Sequence, residues 1–508
     1  MKKIVGSICL IFLVAMAFAQ SDTLPAFVRD SLDTYVQRAL ISSKIPGVSV
    51  AIVKNGKVVL MKGYGVKELG GNEAVDENTL FMIGSNSKAF SATALAILDA
   101  EKKISLDDKV QKWLPDFKMA DPYLTKEMII RDLLSHRMGF ETFQGDFMYF
   151  DSDLTTAQVI EKFGRLKPLY GFRTKWGYTN AGFAVSGEVL KKASGKTWAE
   201  FLKERIFTPL GMDRTLALSK DILTATNKAT AHTVVEGQLK KIPYGNIDNM
   251  APAGSISSSA KDLTRWVLAQ LGNGSIDGRS VIPAAAINQT RFPHSIMGNG
   301  QYLYNRGHFQ LYGLGWMLEE YSGRKIVSHT GGVNGFVTSV TLIPEEKLGI
   351  IVLTNTDQNS FYEALKWEIM DAYLGNVYRN YTKAYNGFQE AQEKREATQL
   401  KKFRDTVAMN NKPELALSAY AGSYSHDIYG GMTIKEESGK LIMRFEHHSG
   451  RFGTLEPLGG NRFLCTYSDP LYGIKVLPFT VKNGKVASVT VTVADFVEFT
   501  PYEFKKIK

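Results

Sequence analysis

The sequence predicts an α+β protein: an antiparallel sheet with flanking helices plus an all-helical lobe, followed by a small all-β barrel at the carboxy terminus. Three patterns carry this. Apolar strand-like runs flank a helix-rich middle within residues 20–378. Residues 379–412 then turn charged and helix-favouring, with little apolar content, and read as a helical linker. Beyond it, in 413–508, short alternating runs recur with turn signals between them, as in an antiparallel meander closing into a barrel.

Taken in order, residues 1–19 have the layout of a secretory signal peptide. Lys2-Lys3 precede the apolar run Ile4 to Phe18, and Ala17-Phe-Ala19 offers small residues for cleavage before Gln20. The run is short for a membrane anchor and no stop-transfer flank follows, so an exported chain, periplasmic or extracellular, is expected. Phe27 to Ser43 reads as an amphipathic helix, and Val48 to Glu68 as a hairpin turning at Asn55-Gly56. Helices are expected over Ser85–Ala100, Lys126–Leu134, Ala181–Ala193 and Trp198–Ile206. Strands are expected over Gly313–Glu319, Phe336–Ile343 and Gly349–Leu353, with a helix near Ser360–Tyr373 closing the domain. The barrel strands are expected at Tyr420–Ser425, Met432–Lys435, Leu441–Phe445, Phe463–Tyr467, Ile474–Phe479, Val486–Val491 and Phe496–Phe499. Ser438-Gly439, Gly459-Gly-Asn461 and Asn483-Gly484 separate several of them.

Composition narrows the function classes. A chain of 508 residues, 44% hydrophobic, can bury a sizeable core. Cys9 lies in the leader, so cleavage leaves Cys465 as the only thiol and no internal disulfide can form. The formal charge of +10 falls to +8 without Lys2 and Lys3. That excess is spread along the chain with no basic block, which suits an acidic envelope surface and gives no case for nucleic acid. His447-His448 beside Glu446 would point to opposite faces of a strand. With no His-Glu-x-x-His and no paired cysteines, neither a metal nor a cofactor is expected. The expected partner is a small-molecule or short-peptide substrate, with the oligomeric state open.

Three ordered motifs carry the chemistry: Ser85-Asn-Ser-Lys88, Tyr178-Thr-Asn180, and His329-Thr330-Gly331-Gly332. Each is weak alone, since Ser-x-x-Lys also occurs at Ser258 and Ser322, and Tyr-x-Asn at Tyr244 and Tyr378. Context selects the first set. Ser85 opens a run of strong helix formers with an apolar stripe, which places its backbone N–H at the positive helix end and Lys88 on its own face. Ser258 also precedes a helix-like run, but the His-Thr-Gly lies before the Tyr-x-Asn that would follow it, and Ser322 sits in a hairpin turn.

A serine hydroxyl needs a base to act as a nucleophile at neutral pH. Lys88 can serve if burial or a neighbouring cation lowers its pKa, and Tyr178 is the other candidate; as a coupled pair they leave the choice open. Asn180 is expected to hold Lys88 and the substrate amide. His136 reads as a helix-end, structural residue, and the aromatic run Phe140–Phe150 as either a cleft rim or a packed lid.

The segment from about Thr23 to Tyr373 resembles the serine β-lactamase-like superfamily, on the branch of class C β-lactamases, D-aminopeptidases and related esterases. Besides the three motifs, the similarity lies in Phe81-Met-Ile-Gly84, Ile130-Arg-Asp-Leu-Leu-Ser-His136, Trp176-Gly177, Pro209-Leu-Gly-Met212 and Ala253-Gly-Ser-Ile-Ser257. The resemblance implies a β-lactamase/DD-peptidase-like fold with the site between sheet and helical lobe, and an oxyanion hole from the backbone N–H groups of Ser85 and Gly332. It implies substrate support from Asn180, His329, Thr330 and Gly331. Lipocalin-like barrels occur as carboxy-terminal additions in this superfamily. His329 departs from the pattern, because many β-lactamases and DD-peptidases carry lysine there to meet a substrate carboxylate. The expectation is therefore a secreted serine hydrolase of amides or esters, a peptidase or esterase acting through a Ser85 acyl-enzyme. A β-lactamase is the alternative among enzymes, and an envelope-peptide binding or sensing protein without turnover the alternative of another class.

Overall fold

In a computed structural model of the chain, residues 24–300, 303–304 and 307–507 are described, so the leader expected over 1–19 lies outside them. The hairpin β1 (Gly47–Lys54) and β2 (Lys57–Gly65) turns at Asn55-Gly56, both at positive φ (52° and 77°). That backbone is what an Asn-Gly two-residue turn favours. Six more strands of the same sheet come some 230 residues later: β3 (Ser295–Gly298), β4 (Gln310–Tyr312), β5 (Met317–Tyr321), β6 (Arg324–Val333), β7 (Phe336–Ile343) and β8 (Leu348–Thr354). The order is β2-β1-β8-β7-β6-β5-β4-β3, antiparallel throughout. The early hairpin therefore joins the late strands directly, with Val50 opposite Val352.

Six helices matter for the site: α1 (Leu32–Ser42), α2 (Ser87–Ala100), α3 (Asn180–Ser194), α4 (Ala260–Leu271), α5 (Phe361–Leu374) and α6 (Tyr381–Ala408). Strand alternation sends Val48, Val50 and Ile52 into one core with Leu32 and Val36 of α1 and Phe361 and Leu365 of α5. Ala51, Val53, Ile351 and Leu353 enter the other, with Phe90 of α2 and Trp266 and Val267 of α4. Because both faces are covered, β7 and β8 are buried along their whole length, and the alternation expected of a half-exposed strand is lost there.

Three expected boundaries change. Lys126–Leu134 is not one helix but two short ones, Pro122–Glu127 and Ile130–Leu134. Met128 and Ile129 between them are extended, because Ile129 bridges Lys109 and its N–H donates to the Asp132 carboxylate (3.0 Å). Gly313–Glu319 is not one strand either. Residues 313–316 are the turn of a hairpin, with Gly315 at φ +70° and the Gly313 N–H bonded to the Trp316 carbonyl, and β5 begins at Met317. In the barrel, Phe496–Phe499 is a loop.

The barrel is closed by eight strands in sequence order: β9 (Gly422–His426), β10 (Gly430–Glu437), β11 (Lys440–Phe445), β12 (Phe452–Gly459), β13 (Arg462–Tyr467), β14 (Ile474–Lys482), β15 (Lys485–Val491) and β16 (Tyr502–Lys506). Neither β12 nor β16 was expected. Pro457 and Gly459 disguise the first, and the second is short and charged. Phe496–Phe499 alternates like a strand, yet Val497 and Glu498 both donate their N–H to the Ala494 carbonyl, which curls the segment into a turn. His447 and His448 also sit in a turn after β11 rather than on a strand. Helix α6 joins the two domains, and its only buried residues are Tyr381 and Thr382. Cys465 is a buried core residue of β13.

The barrel is docked on the hydrolase-like domain through the aromatic run at 140–150. Phe147 enters a ring of Tyr429, Phe445, His448, Tyr472 and Tyr502 at centroid distances of 4.6–5.9 Å. His448 Nε2 lies 2.9 Å from the Phe147 carbonyl, and His447 Nδ1 2.9 Å from the Asp153 carboxylate.

Candidate active site

Two glycines fix where Ser85 stands. Gly84 has φ +51°, and a Cβ there would lie 2.9 Å from the Gly332 nitrogen. A Cβ on Gly331 would come within 1.8 Å of the Ile83 carbonyl oxygen. The 83–85 turn thus rests backbone to backbone on β6, and any side chain at 331 would push them apart. Gly331 is buried in this packing, while Gly332 is exposed. Asn86 locks the turn by donating to Thr338 Oγ1 (2.9 Å) and the Ile83 carbonyl (3.2 Å). A short 3-10 turn, Gly84–Asn86, leads into α2, whose residues from Ser87 to Leu98 are all buried.

One helical turn on, the Lys88 side chain is fully buried. Its Nζ lies 3.0 Å from Ser85 Oγ, 2.6 Å from Asn180 Oδ1 and 2.7 Å from the Ala253 carbonyl. It also sits 4.6 Å from the Tyr178 ring centre. Burial drives its pKa well below the usual lysine value, partly opposed by Asp146. Tyr178 is buried too, and burial raises its phenol far above the ordinary tyrosine range. Ser85 eases that rise slightly, but the Tyr178 hydroxyl makes no well-formed hydrogen bond. Ser85, Lys88, Tyr178 and Asn180 are thus brought together. Asn180, the first residue of α3, faces Lys88 from the helical lobe.

Asp146 carries no motif signature in the sequence. It accepts from Asn180 Nδ2 at 2.5 Å and from the Tyr149 hydroxyl. Burial foremost, then the nearby Glu498, push its carboxyl well above the usual range, while Asn180 and Lys88 pull the other way. Only its place in the aromatic run at 140–150, read as either a cleft rim or a packed lid, hinted at it.

A second polar chain runs behind Tyr178. The Thr179 N–H donates to His136 Nδ1 (3.0 Å), so the neutral His136 ring carries its proton on Nε2. That Nε2 is 3.3 Å from the Tyr312 hydroxyl, which is 3.0 Å from His329 Nε2. His329 Nδ1 in turn donates to the Thr330 carbonyl at 2.6 Å. Each donor meets one acceptor only if both rings are neutral. Burial, with Lys88 as a further cause, pushes His329 down to about 3, and His136 is lowered by the same two influences. His136 also stacks on Tyr178 (centroids 4.3 Å, 30°). These contacts set His136 against the site, between Thr179, Tyr312 and Tyr178.

The loop before β16 forms the wall facing β6. Phe496 lies 3.3 Å from an ideal Cβ position on Gly332 and packs edge-on to Phe150. Phe499 stacks on Phe143 (5.5 Å), which packs edge-on to Tyr178 (5.6 Å). The other motif copies lie elsewhere. Ser258 pairs backbone-wise with Phe81 and contacts Thr215, Ser322 is in the β5–β6 turn, and Tyr244 donates to the Ala229 carbonyl. Tyr378 is 55% exposed. Among the described residues, no group of three or more His, Cys, Asp or Glu side chains is placed to hold a metal.

Residues 32–374 match the Beta-lactamase family profile, and residues 408–506 match a domain of unknown function, DUF3471. Among curated relatives, the chain is similar to the unguisins hydrolase ungD of Aspergillus violaceofuscus, 27% identical over 82% of this chain and 81% of that protein. It is similar also to penicillin-binding protein 4* of Bacillus subtilis, 26% identical over 62% of this chain and 69% of the relative. Among solved structures, an octameric penicillin-binding protein homologue from Pyrococcus abyssi superposes with a TM-score of 0.58 at 21% identity. That match covers 93% of this chain and 99% of the other, so the shared fold includes the barrel region.

Proposed function

The chain belongs to the beta-lactamase family, and from that premise we propose that it hydrolyses amide or ester bonds through an acyl-enzyme on Ser85, as a peptidase or esterase. The observation that carries this is the environment of Lys88. Its three polar neighbours are two carbonyl oxygens, of Asn180 and Ala253, and one hydroxyl, Ser85. A neutral amine has two N–H bonds and one lone pair. The two carbonyls take the N–H bonds, which turns the lone pair to the Ser85 O–H. Burial favours that neutral form, so Lys88 is the base of choice and the high-pKa Tyr178 is a proton donor rather than a base.

The reaction then runs with protons accounted for. Ser85 Oγ bonds to the substrate carbonyl carbon as Lys88 takes its proton. The carbonyl oxygen becomes an oxyanion between the N–H groups of Ser85 and Gly332, each worth roughly 3 kcal/mol. On collapse the leaving group accepts the Tyr178 proton, and Lys88 returns its own to Tyr178. Water hydrolyses the ester by the reverse route. A neutral His329 offers no fixed cation for a substrate carboxylate, which supports peptides or esters over penicillins. Phe496, Phe499 and Phe143 supply an apolar wall, which suits an apolar acyl side chain.

Intact-protein mass spectrometry after exposure to a fluorophosphonate probe tests the reading. One adduct on the wild type, absent from Ser85→Ala, is expected, and D-amino-acid amides, short esters and a cephalosporin then rank the substrate class. A folded wild type that stays unlabelled would overturn it.

A further inference from the structure

The barrel contributes one buried ionisable group to the vicinity of the site. Glu498, in the loop before β16, is 1% exposed. Its Oε1 accepts the Gly145 N–H (2.8 Å) and its Oε2 the Phe147 N–H (2.9 Å). The two oxygens thus grip the backbone on either side of Asp146. The Tyr429 hydroxyl donates to the same carboxylate at 3.2 Å. Asp146, held between those N–H groups, contacts Asn180 at 2.5 Å, and Asn180 contacts Lys88 at 2.6 Å. The path from the barrel to the Ser85 hydroxyl therefore consists of four hydrogen-bond contacts joined at Asp146 by the covalent backbone of the 145–147 turn.

We propose that Glu498 is a positioning residue for the Lys88 amine: it clamps the 145–147 turn and holds the negative charge of the Glu498–Asp146 pair on the barrel side, away from Lys88. This rests on the acyl-enzyme reading above. Two neighbouring buried carboxyls do not both ionise easily. Glu498 has three donors, two of them backbone N–H groups that cannot turn away, whereas Asp146 has two side-chain donors. Above about pH 7, where the pair carries a charge, that charge thus settles on Glu498 and Asp146 keeps its proton, a distribution that leaves the Lys88 amine free to be neutral. Facing the pair are Tyr429 and Tyr502 from the barrel, Tyr149 from the hydrolase-like domain, and Lys88 and Tyr178 beyond Asn180. The neutral His448 stacks on Phe147. The barrel on this account sets the charge distribution behind the site from outside it.

The test is the rate of fluorophosphonate labelling of the full chain between pH 5 and 10, comparing wild type with Glu498→Gln and Tyr429→Phe. Glutamine keeps the shape but cannot hold the charge, so Asp146 ionises instead and raises the pKa of Lys88. The acid limb of the profile should move to higher pH by about one unit, which is a tenfold lower rate on that limb. The plateau should stay within a few-fold of wild type. Tyr429→Phe removes one donor and should move the limb the same way by less; it carries the test if Glu498→Gln does not fold. A merely structural role would lower the labelled fraction without moving the limb. Unshifted limbs, or a uniform scaling of the profile, would overturn the proposal. A wild type that never labels would instead remove the acyl-enzyme reading, and this inference with it.

Discussion

Lys88 and Glu498 approach the same site from the two domains, and they invite comparison because both are fully buried, ionisable and held by polar partners on three sides. Burial moves each toward its neutral form, lysine down and glutamate up to about 7. The partners differ in kind. Around Lys88 stand two acceptors and one hydroxyl that can give up its proton, so the arrangement leaves a reactive position open. Around Glu498 stand only donors, two of them backbone, so nothing is left to react. The difference separates a group placed to exchange a proton from a group placed to hold a turn and a charge. Burial alone does not distinguish them; the donor and acceptor inventory does.

The sharpest way to break the comparison is to remove each group in turn. Lys88→Met keeps the volume and loses the base, and the labelling rate should fall by about 1,000-fold across the whole pH range. Glu498→Gln should cost far less and only on the acid limb. Equal losses would mean that the two groups act alike and that the distinction drawn from their partners is wrong.

A second variant asks whether the barrel works through the turn it clamps. Phe147 is the plug of that contact, fully buried and ringed by five aromatic side chains of the barrel. Phe147→Ala should cost about 3–5 kcal/mol, read as a lower denaturation midpoint, because the cavity cannot collapse between two rigid domains. Its labelling profile should shift in the same direction as that of Glu498→Gln. A destabilised variant with the wild-type profile would show that docking and proton chemistry are independent.

What the sequence made legible follows the same division. Ser85, Lys88, Tyr178, Asn180 and His329 sit in local motifs whose spacing puts side chains on one helical face or at one strand end, and the fold brings them together. Phe336–Ile343 emerged with its expected bounds because an apolar run between turn signals needs no distant partner to be a strand. Asp146 and Glu498 had no such signature. They meet across more than 350 residues of chain, and a lone acid in a loop looks like any solvated charge until its partners are known. Phe496–Phe499 departs from its pattern for a related reason. Its alternation imitates a half-buried strand, but what buries these residues is the other domain, and the loop's own hydrogen bonds turn back to Ala494. The helix break at Met128-Ile129 likewise depends on a bridge to Lys109 that no local pattern announces.

The smallest effect in the series concerns stability and needs no substrate. Glu498 titrates at about 7 in the folded chain, against an ordinary value of 4.5. The folded state therefore binds that proton more tightly than the unfolded chain does. Its contribution to stability is full below pH 4.5 and is lost as the pH rises through 7. The loss should amount to about 1–3 kcal/mol over that window, the upper end applying only if Asp146 takes up none of the charge. Replacing Glu498 by glutamine removes this slope, so the denaturant midpoints of wild type and variant should converge, or cross in favour of the variant, between pH 5 and 8. Lys88 gives the opposite comparison. Its folded pKa is depressed, so the strain of burying it is relieved as the pH rises toward the lysine range. Lys88→Met should remove the rise in stability that runs from the depressed folded value of Lys88 up to the ordinary lysine value, a slope opposite in sign to that of Glu498. If Glu498→Gln leaves the falling slope in place, Asp146 carries that titration instead, and the charge of the pair is not held on the barrel side.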